Sequence, residues 1–133
     1  MKSKVVVSEE FFPGQKRVIE GLSPSGRYCA VFEDDGETGY LYATDISGPE
    51  CQVLDAVHIY SAQEIADRNV ASRAVILWSS DHQKVALIIN QRPHAVFDFS
   101  AKRGYCRDNF PEPSPSSGWQ RLGWDDSLRD LFT

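Results

Sequence analysis

Several things are scarce in this 133-residue chain, and each scarcity removes a class of function. No segment approaches the roughly 20 consecutive apolar residues of a membrane-spanning helix. The N-terminal lysines are followed by only three apolar residues, "VVV", too short a run for the core of a signal peptide. Cysteine occurs three times, at 29, 51 and 106, an odd number at wide spacing that suits reduced thiols better than a disulfide framework. There is no C-x-x-C and no H-x-x-x-H pairing of the kind zinc needs. Basic residues number 14 against 19 acidic ones and are scattered apart from Lys102, Arg103 and Arg107. A net charge of -5 without a basic face argues against nucleic-acid binding. A G-x-S-x-G elbow, a phosphate loop and a dinucleotide glycine fingerprint are also missing. The expectation is a soluble cytoplasmic protein that carries no cofactor and no metal and binds neither nucleic acid nor membrane.

What is present suffices for a packed core: 41% of residues are hydrophobic and 11% aromatic, in a chain the size of one domain. A single domain over residues 1–133 is expected. Runs rich in β-branched and aromatic residues recur between turn signals: "KVVV", "RVIE", "RYCAVFE", "YLYATD", "CQVLDAVHIY", "AVILW", "KVALIIN" and "HAVFDFS". Their short connections favour antiparallel pairing. The fold class is thus mostly β, or α+β: a single antiparallel sheet of meandering hairpins, curled or two-layered.

Two interruptions have helical signals. Ser61 and Glu64 have the spacing of a capping box, predicting a helix of about two turns after Tyr60. Asp125 is placed to cap a C-terminal helical turn carrying Leu128, Leu131 and Phe132. Between them, 109–119 is rich in proline and serine and reads as an arm or linker. The C-terminal piece is expected to dock back through Trp119, Trp124, Leu128 and Leu131. Alternation places Ala95, Phe97 and Phe99 on one strand face, and the unbroken run Val85 to Ile89 suits a strand covered on both sides.

An internal similarity sets "LSPSGRYCAVFEDDGETGYLYATD" beside "WSSDHQKVALIINQRPHAVFDF", aligning Ser23 with Ser79, Ser25 with Asp81, and Ala30 with Ala86. These segments resemble blade strands of TolB-type and WD-type β-propellers, but two copies cannot close a ring. Two similar hairpins in one sheet are expected.

The most conspicuous chemistry is "VFEDDGETGY", with four carboxylates around Asp35-Gly36. Placing Gly36 at the invariant glycine of a calcium loop puts Val31 and Tyr42 at the end ligand positions, which excludes an EF-hand. A hairpin turn with solvated acids is the simpler expectation. Cys106, between Arg103 and Arg107, is a weak candidate nucleophile with His94 as its nearest base in sequence. His58 and His94 both lie in expected strands. A contact surface is expected from Glu33, Asp34, Asp35, Glu37, Tyr40 and Tyr42 together with Arg103, Tyr105 and Arg107, since aromatics beside charges favour recognition.

The ordered strings "GRYCAVFEDDGETGYLYATD", "HIY" and "HAVFDFSAKRGYCRDNFP" resemble an uncharacterised bacterial family known only as a domain of unknown function, over about Phe11 to Pro111. The resemblance implies a small stand-alone bacterial cytoplasmic protein and carries over no activity and no catalytic residues. The function expected is non-enzymatic binding of another protein, of basic character, in the manner of an immunity protein or antitoxin. The alternative is a small enzyme built on Cys106 or on a His and Asp pair. Open sheet edges would permit a dimer.

Overall fold

The computed structural model describes residues 3–132, which form two β-sheets stacked over a shared core. In chain order the strands are β1 (Lys4–Phe11), β2 (Arg17–Leu22), β3 (Tyr28–Asp34), β4 (Thr38–Asp45), β5 (Gln52–Ser61), β6 (Ser72–Trp78), β7 (Lys84–Ile89), β8 (Arg92–Asp98), β9 (Arg103–Cys106) and β10 (Gln120–Gly123). β2-β3-β4-β5 make a four-stranded meander, and β1-β6-β7-β8-β9-β10 make the second sheet. Every pairing is antiparallel except β9 with β10, which is parallel. The fold is mostly β and antiparallel, as the sequence leads one to expect, in its two-layered form.

The similar hairpins are real, but they fall in different sheets. In each turn a serine hydroxyl accepts the backbone N–H five residues on: Tyr28 N–H to Ser23 Oγ at 3.1 Å, and Lys84 N–H to Ser79 Oγ at 3.0 Å. The paired backbone bonds match too, Ser23 N to Tyr28 O and Ser79 N to Lys84 O, both 2.8 Å. Gly26 and His82 take the corresponding left-handed positions at φ 79° and 62°. Each turn feeds a four-stranded meander, β2 to β5 and β6 to β9. Ala30 faces the shared core while its counterpart Ala86 faces outward, so the two meanders turn opposite faces to that core.

Ile19, Phe32 and Leu41 of the four-stranded sheet meet Phe11, Ile76, Trp78, Leu87 and Phe97 of the six-stranded sheet. The sheets approach so closely at Gly21 that a Cβ there would lie 2.5 Å from Ile76, and Trp78 donates its indole N–H to the Gly21 carbonyl at 3.2 Å. At one edge Arg121 of β10 clasps Asp55 of β5 through two bonds of 2.8 and 2.6 Å, both side chains buried.

The C-terminal segment docks back, but its aromatics divide between two cores. Trp119 packs edge-on to Phe97 and Phe99 in the shared core. Trp124, Leu128 and Leu131 cover the outside of the six-stranded sheet over Ala86 and Val96. Asp125 caps as expected, accepting from Ser127 N–H at 2.9 Å, and the helix it opens is a 3-10 helix, Asp126–Phe132. The helix expected after Tyr60 shrinks to one 3-10 turn, Ala62–Glu64, and the Ser61 hydroxyl caps nothing there. The reason is local: Ser61 is still extended at the end of β5, Ile65 returns to extended backbone, and the Ser61 hydroxyl is taken by His58.

Candidate functional site

The four-stranded sheet has one face without a covering layer. Ile19, Phe32, Leu41 and Val57 point into the core, so their alternating neighbours point out. The register lines these up as Val18, Glu33, Tyr40 and His58 in one row, and Glu20, Val31, Tyr42 and Ala56 in the next. Val18, Leu22 and Val53 are 54%, 50% and 62% exposed. The Tyr40 and Tyr42 rings lie nearly parallel with centroids 6.1 Å apart, and Tyr42 donates its hydroxyl to Glu33 at 3.2 Å. Burial and the Glu33 charge push the Tyr42 hydroxyl up in pKa, so it stays a donor.

At the end of this face the acidic segment is a hairpin turn whose carboxylates part company. Asp35 accepts from Glu37 N–H at 2.9 Å and Thr38 N–H at 2.8 Å, bonds that hold its carboxyl below the usual range. Asp34 turns inward: it is 1% exposed and accepts from Gly14 N–H (2.7 Å), Gly36 N–H (2.8 Å) and the Tyr60 hydroxyl (2.5 Å). It is therefore a structural hub joining three segments and is not part of the contact surface expected of it. Glu37 is exposed. Among the described residues no three His, Cys, Asp or Glu side chains converge as metal ligands would.

Beside the same face lies a constellation that sequence reading missed. His58 Nδ1 is hydrogen-bonded to the Asp108 carboxylate, and its Nε2 is 3.2 Å from Ser61 Oγ. The backbone N–H of His58 also donates to the Phe110 carbonyl at 2.8 Å, tying β5 to the segment after β9. Edge-on contacts from Tyr40 (5.4 Å) and Phe110 (6.1 Å) flank the ring, whose side chain is 15% exposed. In a regular strand residues three apart face opposite ways. Here Tyr40 pairs with His58 and Gly39 with Tyr60, so Ile59 is an extra residue, and this bulge brings Ser61 round to the His58 side.

The remaining candidates do not join this group as chemistry. Cys106 is fully buried, and burial raises its thiol pKa, the opposite of what a nucleophile needs. Its Sγ lies 3.4 Å from Asp108 Oδ1 and 3.5 Å from the Phe110 carbonyl, a packing role beneath the His58 loop. His94 sits on the other sheet, where burial and the charges of Arg107 and Arg92 push its pKa down to about 4. Arg103 and Tyr105 lie in β9 of the six-stranded sheet and Arg107 directly follows it, so the structure does not unite them with Glu33, Tyr40 and Tyr42. Tyr105 packs under the C-terminal cover, and Arg107 donates to the Pro93 carbonyl at 2.8 Å with its guanidinium 4.6 Å from the Trp124 ring centre. No helix among the described residues is long and apolar enough to cross a membrane.

A family model described as "Uncharacterized protein conserved in bacteria", domain of unknown function 2251, matches residues 11–133. The chain belongs to that family. The match to domain of unknown function 2251 extends past Pro111, so the bare face, the His58 constellation and the C-terminal cover all lie inside it. An uncharacterised protein of Haemophilus influenzae is 35% identical over 118 residues, spanning 88% of this chain and 73% of that relative. No solved structure matches the chain.

Proposed function

We propose that this chain is a binding protein whose outer β2-β3-β4-β5 face docks a protein partner carrying basic groups around an apolar centre. The observation that carries the reading is the uncovered face itself. Val18, Leu22 and Val53 stand exposed beside a pair of stacked tyrosines, an arrangement of apolar and aromatic side chains typical of recognition surfaces. Charge selects the partner. Glu20 and Glu33 lie in the outward rows, Asp35 and Glu37 rim them, and none of the row residues is Lys or Arg. With a net charge of -5, such a face steers a basic protein into contact and repels an acidic one. An immunity-type or antitoxin-type role suits these features, and three unpaired thiols suit a reducing cytoplasm.

The test uses the intact chain as bait in lysate of its native host, beside a Glu33→Lys/Tyr42→Ala bait and an Arg103→Glu bait. A basic protein retained by the wild type and by Arg103→Glu, and lost from Glu33→Lys/Tyr42→Ala, is the expected result. Titration of that purified protein should then weaken steeply with salt. Equal retention by all three baits, an acidic partner, or no partner overturns the proposal.

A further inference from the structure

Ser61, His58 and Asp108 are joined in the order that nucleophilic catalysis requires: hydroxyl to Nε2, then Nδ1 to carboxylate. The carboxylate is itself oriented, because its Oδ1 accepts from Phe110 N–H at 3.2 Å while Oδ2 bonds His58. Asp108 can thus hold the imidazole with its proton on Nδ1, leaving the Nε2 lone pair for the serine. The Tyr40 and Phe110 rings pack at steep angles against the imidazole, whose side chain keeps 15% exposure. Ser61 lines a cavity of about 400 Å³ that is also bordered by Gly36, Glu37, Thr38, Gln63 and Arg68. That room suits a small acyl group, and Arg68 brings a cation to the same cavity as the hydroxyl.

We infer that Ser61, His58 and Asp108 form a nucleophilic relay that hydrolyses small carboxylic esters in this cavity, with Arg68 lending positive charge to the developing oxyanion. Ser61 Oγ bonds to the ester carbonyl carbon as its proton passes to His58 Nε2, and the carbonyl π pair moves onto oxygen. Collapse of that intermediate re-forms the carbonyl and breaks the bond to the alcohol oxygen, which leaves with the proton from Nε2. Water then gives a proton to Nε2 and attacks the acyl-serine. Breakdown releases the carboxylic acid and returns the proton to Ser61. The net change is ester plus water to acid plus alcohol, with no oxidant or further reactant. Ser61 and His58 are the catalytic residues; Asp108 is a positioning residue.

The intact protein is incubated with p-nitrophenyl butyrate and, separately, with a fluorophosphonate probe read by intact mass and peptide mapping. Turnover that falls at least about 100-fold in Ser61→Ala and in His58→Gln, with one adduct on Ser61, is the expected outcome. Thermal midpoints report folding, and Ser61→Ala should leave the midpoint unchanged because its only side-chain bond among the described residues is to His58. Asp108→Asn should lower the rate and displace the pH-rate profile, with Asp108→Glu restoring part of both; a purely structural aspartate would change the midpoint and leave the profile in place. Equal hydrolysis by Ser61→Ala, or no adduct on Ser61, overturns the inference. The docking reading is independent of it, since Ser61→Ala should lose esterase turnover and still retain the partner.

Discussion

The two meanders begin from the same serine turn and end in different circumstances. β6 to β9 carries apolar Ala86 and Val96 on its outer side, and the C-terminal segment lies over them. β2 to β5 carries Val18, Val31, Tyr40 and Tyr42 on its outer side, and nothing in the described chain covers them. The covered face is apolar, with Leu77, Ala86, Val96 and Tyr105 under the C-terminal segment; the one left in water mixes tyrosines with glutamates that keep it hydrated. The difference locates folding stability in one outer face and, on the function proposed above, recognition in the other.

The largest expected effect comes from breaking the clasp that holds the two sheets together at one edge. Asp55→Ala leaves the Arg121 guanidinium buried without its counter-charge, keeping only bonds to the Pro111 and Ala56 carbonyls. Removing one partner of a buried ion pair costs about 3–5 kcal/mol. Urea unfolding should show a loss of that size. A change below about 1 kcal/mol would mean that water reaches Arg121 and that the sheets are not joined there.

The next prediction addresses the two outer faces directly. Leu128→Ala removes buried apolar volume above Ala86 and Val96, and should cost about 2–4 kcal/mol and raise binding of a hydrophobic dye. Tyr42→Ala, on the bare face, should cost less than about 1 kcal/mol. Equal losses in thermal or urea unfolding would show that the bare face also carries folding stability.

His94, on the second meander, should give the molecule an acid-sensitive limb. Its pKa is held at about 4 in the folded state against about 6.5 when unfolded. Between those values the unfolded chain binds the proton and the folded chain does not, so stability falls as pH drops from about 6.5 to 4. Because the ring is only partly buried, the loss should be on the order of 1–2 kcal/mol. His94→Gln should flatten this limb in unfolding curves taken at pH 7, 5.5 and 4.

Much of the fold was legible because hydrophobic alternation and turn chemistry are local. All eight strands suggested by the apolar runs exist, and the Ser23 and Ser79 turns repeat bond for bond. β9 and β10 were not legible: each is four residues long, and their parallel pairing joins segments separated by the prolines of 109–119. The inward turn of Asp34 was within reach, since it continues the alternation of Ala30 and Phe32, but its bonds to Gly14 and Tyr60 span 20 and 26 residues. The Ser61 constellation was not, because the bulge at Ile59 places residues 58 and 61 on one side against the period of the strand.

The smallest effect separates the two turns themselves. Ser23→Ala and Ser79→Ala each leave a backbone N–H without its hydroxyl acceptor, a loss of about 1–2 kcal/mol apiece at neutral pH. The second turn has an addition: Ser79 also donates to Asp81 at 2.6 Å, and Lys84 pairs with Asp81 at 2.8 Å. Lys84 first, then Ser79, hold the Asp81 carboxyl at about 2, below its ordinary 3.8. Stability from this group is therefore present above about 3.8 and lost as pH falls toward 2. With the Asp81 side chain 52% exposed, solvent screening should hold the contribution below about 1 kcal/mol. Asp81→Asn should flatten that acid limb, while Ser25→Ala in the first turn should leave it unchanged. A similar flattening from Ser25→Ala would mean that the limb belongs to carboxylates elsewhere and that the turns do not differ in this respect.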